Sequence, residues 1–155
     1  MGEKQIAQNR MARRNYEIIE TFEAGIALVG TEVKSLREPG NMTLKDSFAD
    51  IRGKNRELFL VGAYIDPYKM GNIHNHEPER PRKLLMHKKE IEKLAQRIAE
   101  KGLTLVPLAV YFKKGIVKVQ LGLGRGKNVR DKRETIKARE SKIEMDRALK
   151  HVGRN

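Results

Sequence analysis

Leu103-Thr-Leu-Val-Pro-Leu-Ala-Val-Tyr-Phe112, Lys113-Lys114-Gly115 and Ile116-Val-Lys-Val-Gln-Leu-Gly-Leu123 decide the fold. Val117, Val119, Leu121 and Leu123 recur at every second position, the period of a strand with one buried face. The polar Lys-Lys-Gly between two apolar runs makes the whole a β-hairpin. Pro107 has no N–H to give a ladder, so it marks an edge or a bulge.

Similar signals recur upstream. Tyr16–Thr21 and Ile26–Val29 are expected as a hairpin turning at Glu23-Ala24-Gly25. Ser47–Arg52 and Leu58–Ile65 form the next pair around Gly53-Lys54-Asn55-Arg56, and Leu58–Val61, apolar at every position, is expected to be buried on both faces. Gly30-Thr31-Glu32 opens a short helix, with Thr31 as N-cap and Glu32 near the positive end of the dipole, stopped by Pro39-Gly40. On it Lys34 and Arg37 share one face, and Val33 and Leu36 the next. His87–Lys101 is a longer helix, with Ile91, Leu94, Ala95 and Ile98 on one side and Gly102 at its end. Between them, Asp66–Arg82 has no periodicity and is punctuated by Pro67, Gly71, Pro78 and Pro81; a connection that long is usually functional. The fold expected is mainly β with helices: an OB-like antiparallel six-stranded β-barrel with two to three helices.

Composition divides the chain further. Residues 1–124 make the barrel, led by an N-terminal arm, Gln5–Asn15, that carries Arg10, Arg13 and Arg14. Residues 125–155 hold eleven Lys/Arg against five Asp/Glu, so a fifth of the chain carries +6 of its +13 charge. Their apolar stripe, Ile136, Ile143, Met145 and Leu149, is too sparse for an isolated helix, so this basic C-terminal tail is expected to be unfolded when free and ordered into a helix by binding. Charge of this density neutralises phosphates and releases counterions, which points to nucleic acid. The chain has no cysteine, which excludes disulfides and thiolate chemistry, and no run of ~18 apolar residues or secretory h-region, so a cytoplasmic protein with no membrane partner is expected.

The motifs that could carry catalysis fail on their chemistry. His74-Asn75-His76-Glu77 lacks a dependable third metal ligand, so no metal is expected. Gly122-Leu-Gly-Arg-Gly-Lys127 has Leu121 where a phosphate loop needs its first glycine and Asn128 where it needs Ser or Thr, and its glycines are expected to act as a hinge for the tail. No Ser/His/acid triad or apolar carboxylate pair is evident, so no enzyme, cofactor or small-molecule substrate is expected. The better candidate is Arg80-Pro-Arg-Lys83 with Leu84-Leu85-Met86 and His87-Lys88-Lys89, cations for an RNA backbone beside leucines that either pack or stack beneath a base. Taken alone, Leu84 and Leu85 suit the core.

Gly30-Thr-Glu-Val-Lys-Ser-Leu-Arg37, Leu44-Lys-Asp-Ser-Phe48, Asn75-His76 with Pro78, Arg82-Lys-Leu-Leu85 and Asp131-Lys-Arg133 fall in one order and together resemble the SsrA-binding protein (small protein B) family. The resemblance runs over nearly the whole chain. It implies an OB-like barrel without enzymatic activity that binds the tRNA-like domain of transfer-messenger RNA and delivers it to stalled ribosomes for trans-translation. A structural ribosomal protein or general RNA chaperone is the alternative. The resemblance implies RNA-binding roles for Asn9, Glu23 and Leu85, shifting Leu85 from core to interface, with Lys34, Arg37, Arg82 and Lys83 as phosphate or sugar contacts beside them. Arg14, Asn75 and His76 complete the expected RNA-binding set. Asp131, Lys132 and Arg133, with Lys127, are expected to act at the ribosomal decoding site, against small-subunit RNA.

Overall fold

The computed structural model describes residues 3–71 and 74–126. The expectations for the tail, including Lys127, Asp131, Lys132 and Arg133, lie outside the described residues. In chain order the elements are β1 (Glu3–Gln8), α1 (Ala12–Asn15), β2 (Tyr16–Ile26), α2 (Gly30–Leu36), β3 (Met42–Thr43), β4 (Phe48–Arg52), β5 (Glu57–Val61), β6 (Tyr64–Ile65), β7 (Arg82–Leu85), α3 (Lys88–Lys101), β8 (Thr104–Lys113) and β9 (Ile116–Gly126).

β8 and β9 form the hairpin expected of them. Lys113 pairs with Ile116 across Lys114 and Gly115, both in the left-handed region at φ 53° and 79°, the turn whose twist matches the flanking strands. The large sheet runs β1-β8-β4-β5-β7-β2-β9, and β9 pairs again with β8. Six strands, β8-β4-β5-β7-β2-β9, thus close into an antiparallel barrel, with β1 added outside β8 and β3–β6 as a separate short pair. The closure is thinnest between β4 and β8, where Ala49↔Leu105 is the pair in register. Val119, Leu121 and Leu123 of β9 meet Leu58, Leu60, Leu84, Leu105 and Val110 in the core, and α3 adds Ile91 and Leu94. The helix ends at Gly102, as its sequence predicts.

Six barrel strands match the expected number, but their identities differ. Tyr16–Ile26 is one continuous strand rather than a hairpin. Gly25 stands in register with both Lys118 and Leu85, and a Cβ there would come 3.3 Å from that of Leu85, so this glycine permits a close approach and makes no turn. The sixth strand is β7, in a segment whose sequence reads as charge followed by leucines. The N-terminal arm is also structured: β1 pairs with β8, and Ala12 of α1 is buried with Val106 and Leu108. Gly122 and Gly124 are ladder residues rather than a hinge, since a Cβ on Gly122 would come 2.9 Å from Leu108, which that second small core needs in place. Pro107 does precede a bulge, at Leu108.

Glu32 joins the pieces. Expected as a favourable charge at a helix start, it is fully buried, and Thr31 is not the N-cap. Glu32 Oε1 accepts the Val29 N–H at 2.9 Å and Arg80 Nη2 at 2.7 Å, while Oε2 accepts Arg80 Nε at 2.9 Å and Arg82 Nε at 2.7 Å. Arg82, also fully buried, donates onward to the carbonyls of Ala63 (2.9 Å), Pro78 (2.9 Å) and Glu77 (3.2 Å). One carboxylate therefore ties α2 to β7 and to the 66–81 connection. Burial works against its charge, but donors from Arg80, the Val29 N–H and Arg82 prevail and hold the carboxyl below its ordinary value. Burial likewise pulls the Arg82 guanidinium down, with Glu32 restoring part; arginine starts so high that it stays charged.

Removing one member of such a pair strands the other, so Glu32→Gln is expected to cost about 3–5 kcal/mol in urea unfolding at neutral pH. A carboxyl with a depressed folded-state pKa stabilises above its unfolded-state pKa, and that contribution is lost as pH falls through the folded value. The gap between parent and variant should therefore close on acidification; a gap constant with pH would contradict this assignment.

Candidate nucleic-acid interface

Alternation along the strands sorts each candidate to the inside or the outside. On β7, Arg82 and Leu84 point inward and are fully buried, while Lys83 and Leu85 point out, Leu85 with 51% of its surface exposed. Arg82 is thus a correction: a guanidinium with no exposed surface cannot meet a phosphate, and its donors serve the fold. Leu85 is the opposite case. Its exposure removes the core role that its residue type suggests and leaves a large apolar group on the barrel's outer face. Lys83 lies outside too, at 2.8 Å from Glu57, an ion pair open to water and easily exchanged for a phosphate.

Glu23 lies on the same outer face. It is two residues before Gly25, which is in register with Leu85 on one side and Lys118 on the other. Its carboxylate accepts Tyr111 Oη at 2.5 Å and Lys113 Nζ at 3.3 Å. Tyr111 chiefly, and Lys113 after the opposing effect of desolvation, hold its pKa below the ordinary carboxylate value. An exposed acid on an RNA-binding surface would repel phosphate. Held toward its ionised form by two neighbouring donors, it presents an oriented hydrogen-bond acceptor on this face.

Across β5, Phe59 pairs with Lys83 on one side and Asp50 on the other, and the Arg52 guanidinium stands over its ring at 5.8 Å. Phe59 and Val61 are only half-buried, which corrects the expectation that Leu58–Val61 is covered on both faces: only Leu58 and Leu60 reach the core. With the exposed Phe48, they continue the apolar and cationic surface from Leu85.

The remaining candidates divide into exposed cations and braces. Lys34 is exposed on α2 and Arg37 at its C-terminal cap; Lys34 stands over the Tyr68 ring at 5.8 Å, and the Arg37 carbonyl accepts Lys4 Nζ. Arg14 is exposed at the end of α1. Asn9 is half-buried, donating Nδ2 to the Pro107 carbonyl at 2.9 Å, while its backbone N–H reaches Leu108 O at 2.8 Å. Asn75 clasps the Tyr68 peptide, accepting its N–H at 2.9 Å and donating to its carbonyl at 2.6 Å. His76 is buried, Nε2 against Ile65 O at 3.0 Å and Nδ1 against Thr31 Oγ1 at 2.9 Å. A carbonyl only accepts, so Nε2 carries a proton, while the Thr31 hydroxyl, both donor and acceptor, partners Nδ1. His76 is therefore a correction as an RNA contact, because both ring nitrogens are spent holding the connection to β6 and α2. Among the described residues no group of three or more His, Cys, Asp or Glu side chains could hold a metal ion, and no helix is long and apolar enough to cross a membrane.

Sequence reasoning missed Tyr111 and Lys113, the residues that orient Glu23. Their alternation with buried Val110 and partly buried Phe112 marks them as outward, but only the closure of β8 on β9 and β9 on β2 brings them to Glu23.

A family described as "SmpB protein" matches residues 6–151 of the chain. The chain is 56% identical to the SsrA-binding protein of Trichodesmium erythraeum over 150 residues, 96% of this chain and 94% of that protein. It is 54% identical to the SsrA-binding protein of Geobacter sulfurreducens over 155 residues, 100% and 99% of the two chains. A solved structure described as "tmRNA-SmpB: a journey to the center of the bacterial ribosome" contains a chain 55% identical, matched over 77% of this chain and 82% of that one at a TM-score of 0.63.

The contrast between adjacent leucines is testable. Leu84→Ala should destabilise the fold by about 2–5 kcal/mol. Leu85→Ala should change urea-unfolding stability by only about 0.5 kcal/mol while weakening RNA binding. Equal destabilisation by the two would mean that Leu85 is a packing residue.

Proposed function

The chain belongs to the SmpB protein family, and we propose that it binds the tRNA-like domain of transfer-messenger RNA and carries that RNA to stalled ribosomes, starting trans-translation. The observation that carries this reading is the full-length kinship to SsrA-binding proteins combined with an outer barrel face that exposes Leu85, an oriented Glu23 carboxylate and Lys83 together. The protein works by binding, in the cytoplasm, with no catalysis and no cofactor of its own.

Two modules divide the work. Residues 1–124 grip the tRNA-like domain: Leu85 against a base, Glu23 as acceptor, and Lys83, Lys34, Arg37 and Arg14 at the phosphates. Asn9 holds β1 where it crosses the bulge of β8, at the border of the same surface. Asn75, whose amide is committed to the Tyr68 peptide, supports the position of Tyr68 beneath Lys34. Residues 125–155, with Lys127, Asp131, Lys132 and Arg133, act separately against small-subunit RNA at the decoding site, where the charge of the segment is matched to phosphate.

Deletion of residues 131–155 is expected to leave binding to the tRNA-like domain mostly intact and to abolish peptide tagging on stalled ribosomes in a reconstituted translation assay. Equal loss of both activities would reject the two-module division. Lys83→Ala should weaken RNA binding and make the log–log salt dependence shallower by about one unit, the share of a single neutralised phosphate. Purified protein that shows no preference for the tRNA-like domain over random RNA of equal length would overturn the proposed function itself.

A further inference from the structure

β1, β8 and β9 share a stretch of outer surface on the far side of β2 from Leu85. Gln5, Ala109, Tyr111 and Gln120 line a shallow cavity there of about 320 Å³, at the small end of the ~300–1,000 Å³ range of ligand sites. We propose that this cavity receives a single unstacked nucleobase of the tRNA-like RNA, a site that presupposes the RNA-binding role above and adds a base-reading position to it.

Two bulges shape the cavity. On β1 the register slips between Gln5 and Ala7, so Ile6 and Ala7 both turn to the core and Gln5 and Gln8 stay outside. On β8 it slips between Pro107 and Ala109, so Leu108 packs under α1 and half-buried Ala109 follows it onto the outer face. Bulges re-aim side chains next to binding sites, and here they place a methyl group as the floor between longer walls.

The lining suits a base better than a phosphate. Among the described residues no cation lines the cavity. Gln5 and Gln120 bring amides that both donate and accept, as the edge of a base requires, and the Tyr111 ring offers a wall to its face. Gln5 donates to Gln8 at 3.2 Å, an exposed bond between two flexible side chains that a ligand can replace. The Tyr111 hydroxyl is directed to Glu23, which faces Gln120 in register and so stands one strand beyond the cavity. Lys118, in register with Tyr111, and Lys113 supply charge for the adjoining phosphates. Asn9 borders the cavity at its β1 side, because Gln8 pairs with Ala109 and Asn9 bonds the next two carbonyls of β8. An RNA strand crossing from Asn9 to Leu85 spans four strand spacings, about 19 Å, and passes directly over it.

The full-length chain carrying Ala109→Met, which fills the floor, or Gln120→Ala, which removes one amide, tests the site. The probes are a transcript of the tRNA-like domain and random RNA of equal length, titrated over a salt series. Each variant is expected to lose about tenfold to a hundredfold in affinity for the transcript, with the salt slope and the affinity for random RNA unchanged. Parent-like affinity in Gln120→Ala, or a loss shared by both RNAs with a shallower slope, would overturn the assignment, the latter identifying a phosphate-binding position. Gln120→Ala alters only an outward side chain and decides the matter should Ala109→Met fail to fold. A loss seen with purified ribosomes and not with the transcript would overturn the source of the base. A parent protein without preference for the transcript refutes the functional reading; a preference that both variants retain refutes the cavity alone.

Discussion

Glu32 is the charge around which the molecule is organised. A carboxylate with no exposed surface survives only if its oxygens are fully hydrogen-bonded, and Glu32 meets that demand with one backbone N–H and two arginines. These come from three different segments: Val29 before α2, Arg80 from the long connection and Arg82 from β7. Satisfying the charge therefore fixes where those segments lie. Arg82 extends the constraint through its other nitrogens to the carbonyls of Ala63, Glu77 and Pro78, so a connection with no regular structure of its own acquires a definite path. His76 and Asn75 complete that path with bonds to Ile65, Thr31 and Tyr68. The energetic value of such a network lies less in net stability than in excluding other arrangements, since any other docking of the connection would leave a buried charge unpaired.

With the connection pinned, β7 is held in register between β5 and β2, and register decides function by parity. A shift of one residue would put Lys83 and Leu85 in the core and Arg82 and Leu84 in water. The buried ion pair at Arg82 makes that shift prohibitively costly. The exposure of Leu85 is in this sense a consequence of Glu32 on the other side of the barrel wall. The outer face is further divided by α1, which covers Val106 and Leu108 at one end and leaves the stretch with Tyr111, Gln120 and Glu23 open.

What the sequence made legible follows from which signals are local. The β8–β9 hairpin, α3 and the β4–β5 turn were readable because periodicity, caps and turn residues lie within a few positions of one another. β7 was not, because four residues beginning with an arginine carry no period, and its strand character comes from pairing with β2 and β5 on both sides. Gly25 and Gly122 misled for a related reason. A glycine's sequence context does not say whether it is there for a turn or for the close approach of a residue sixty positions or fourteen positions away, as Leu85 and Leu108 are. Arg82 and Lys83 show the same limit within the site. They are adjacent cations with the same composition signal, and only burial distinguishes the internal brace from the outward cation.

Glu23 then becomes intelligible as part of the proposed RNA-facing surface. A carboxylate surrounded by water and phosphate gains little from being there, yet this one is anchored by a tyrosine and a lysine that themselves belong to the outward rows of β8. Lys113 offsets its charge in the approach of a polyanion, and Tyr111 fixes its direction, so the long-range field of the face stays favourable while an acceptor survives at short range. Phosphates respond to net charge over nanometres and bases to acceptor geometry over a few ångströms. A surface that pairs an oriented acid with a lysine can meet both requirements, attracting a backbone first and discriminating a base afterwards.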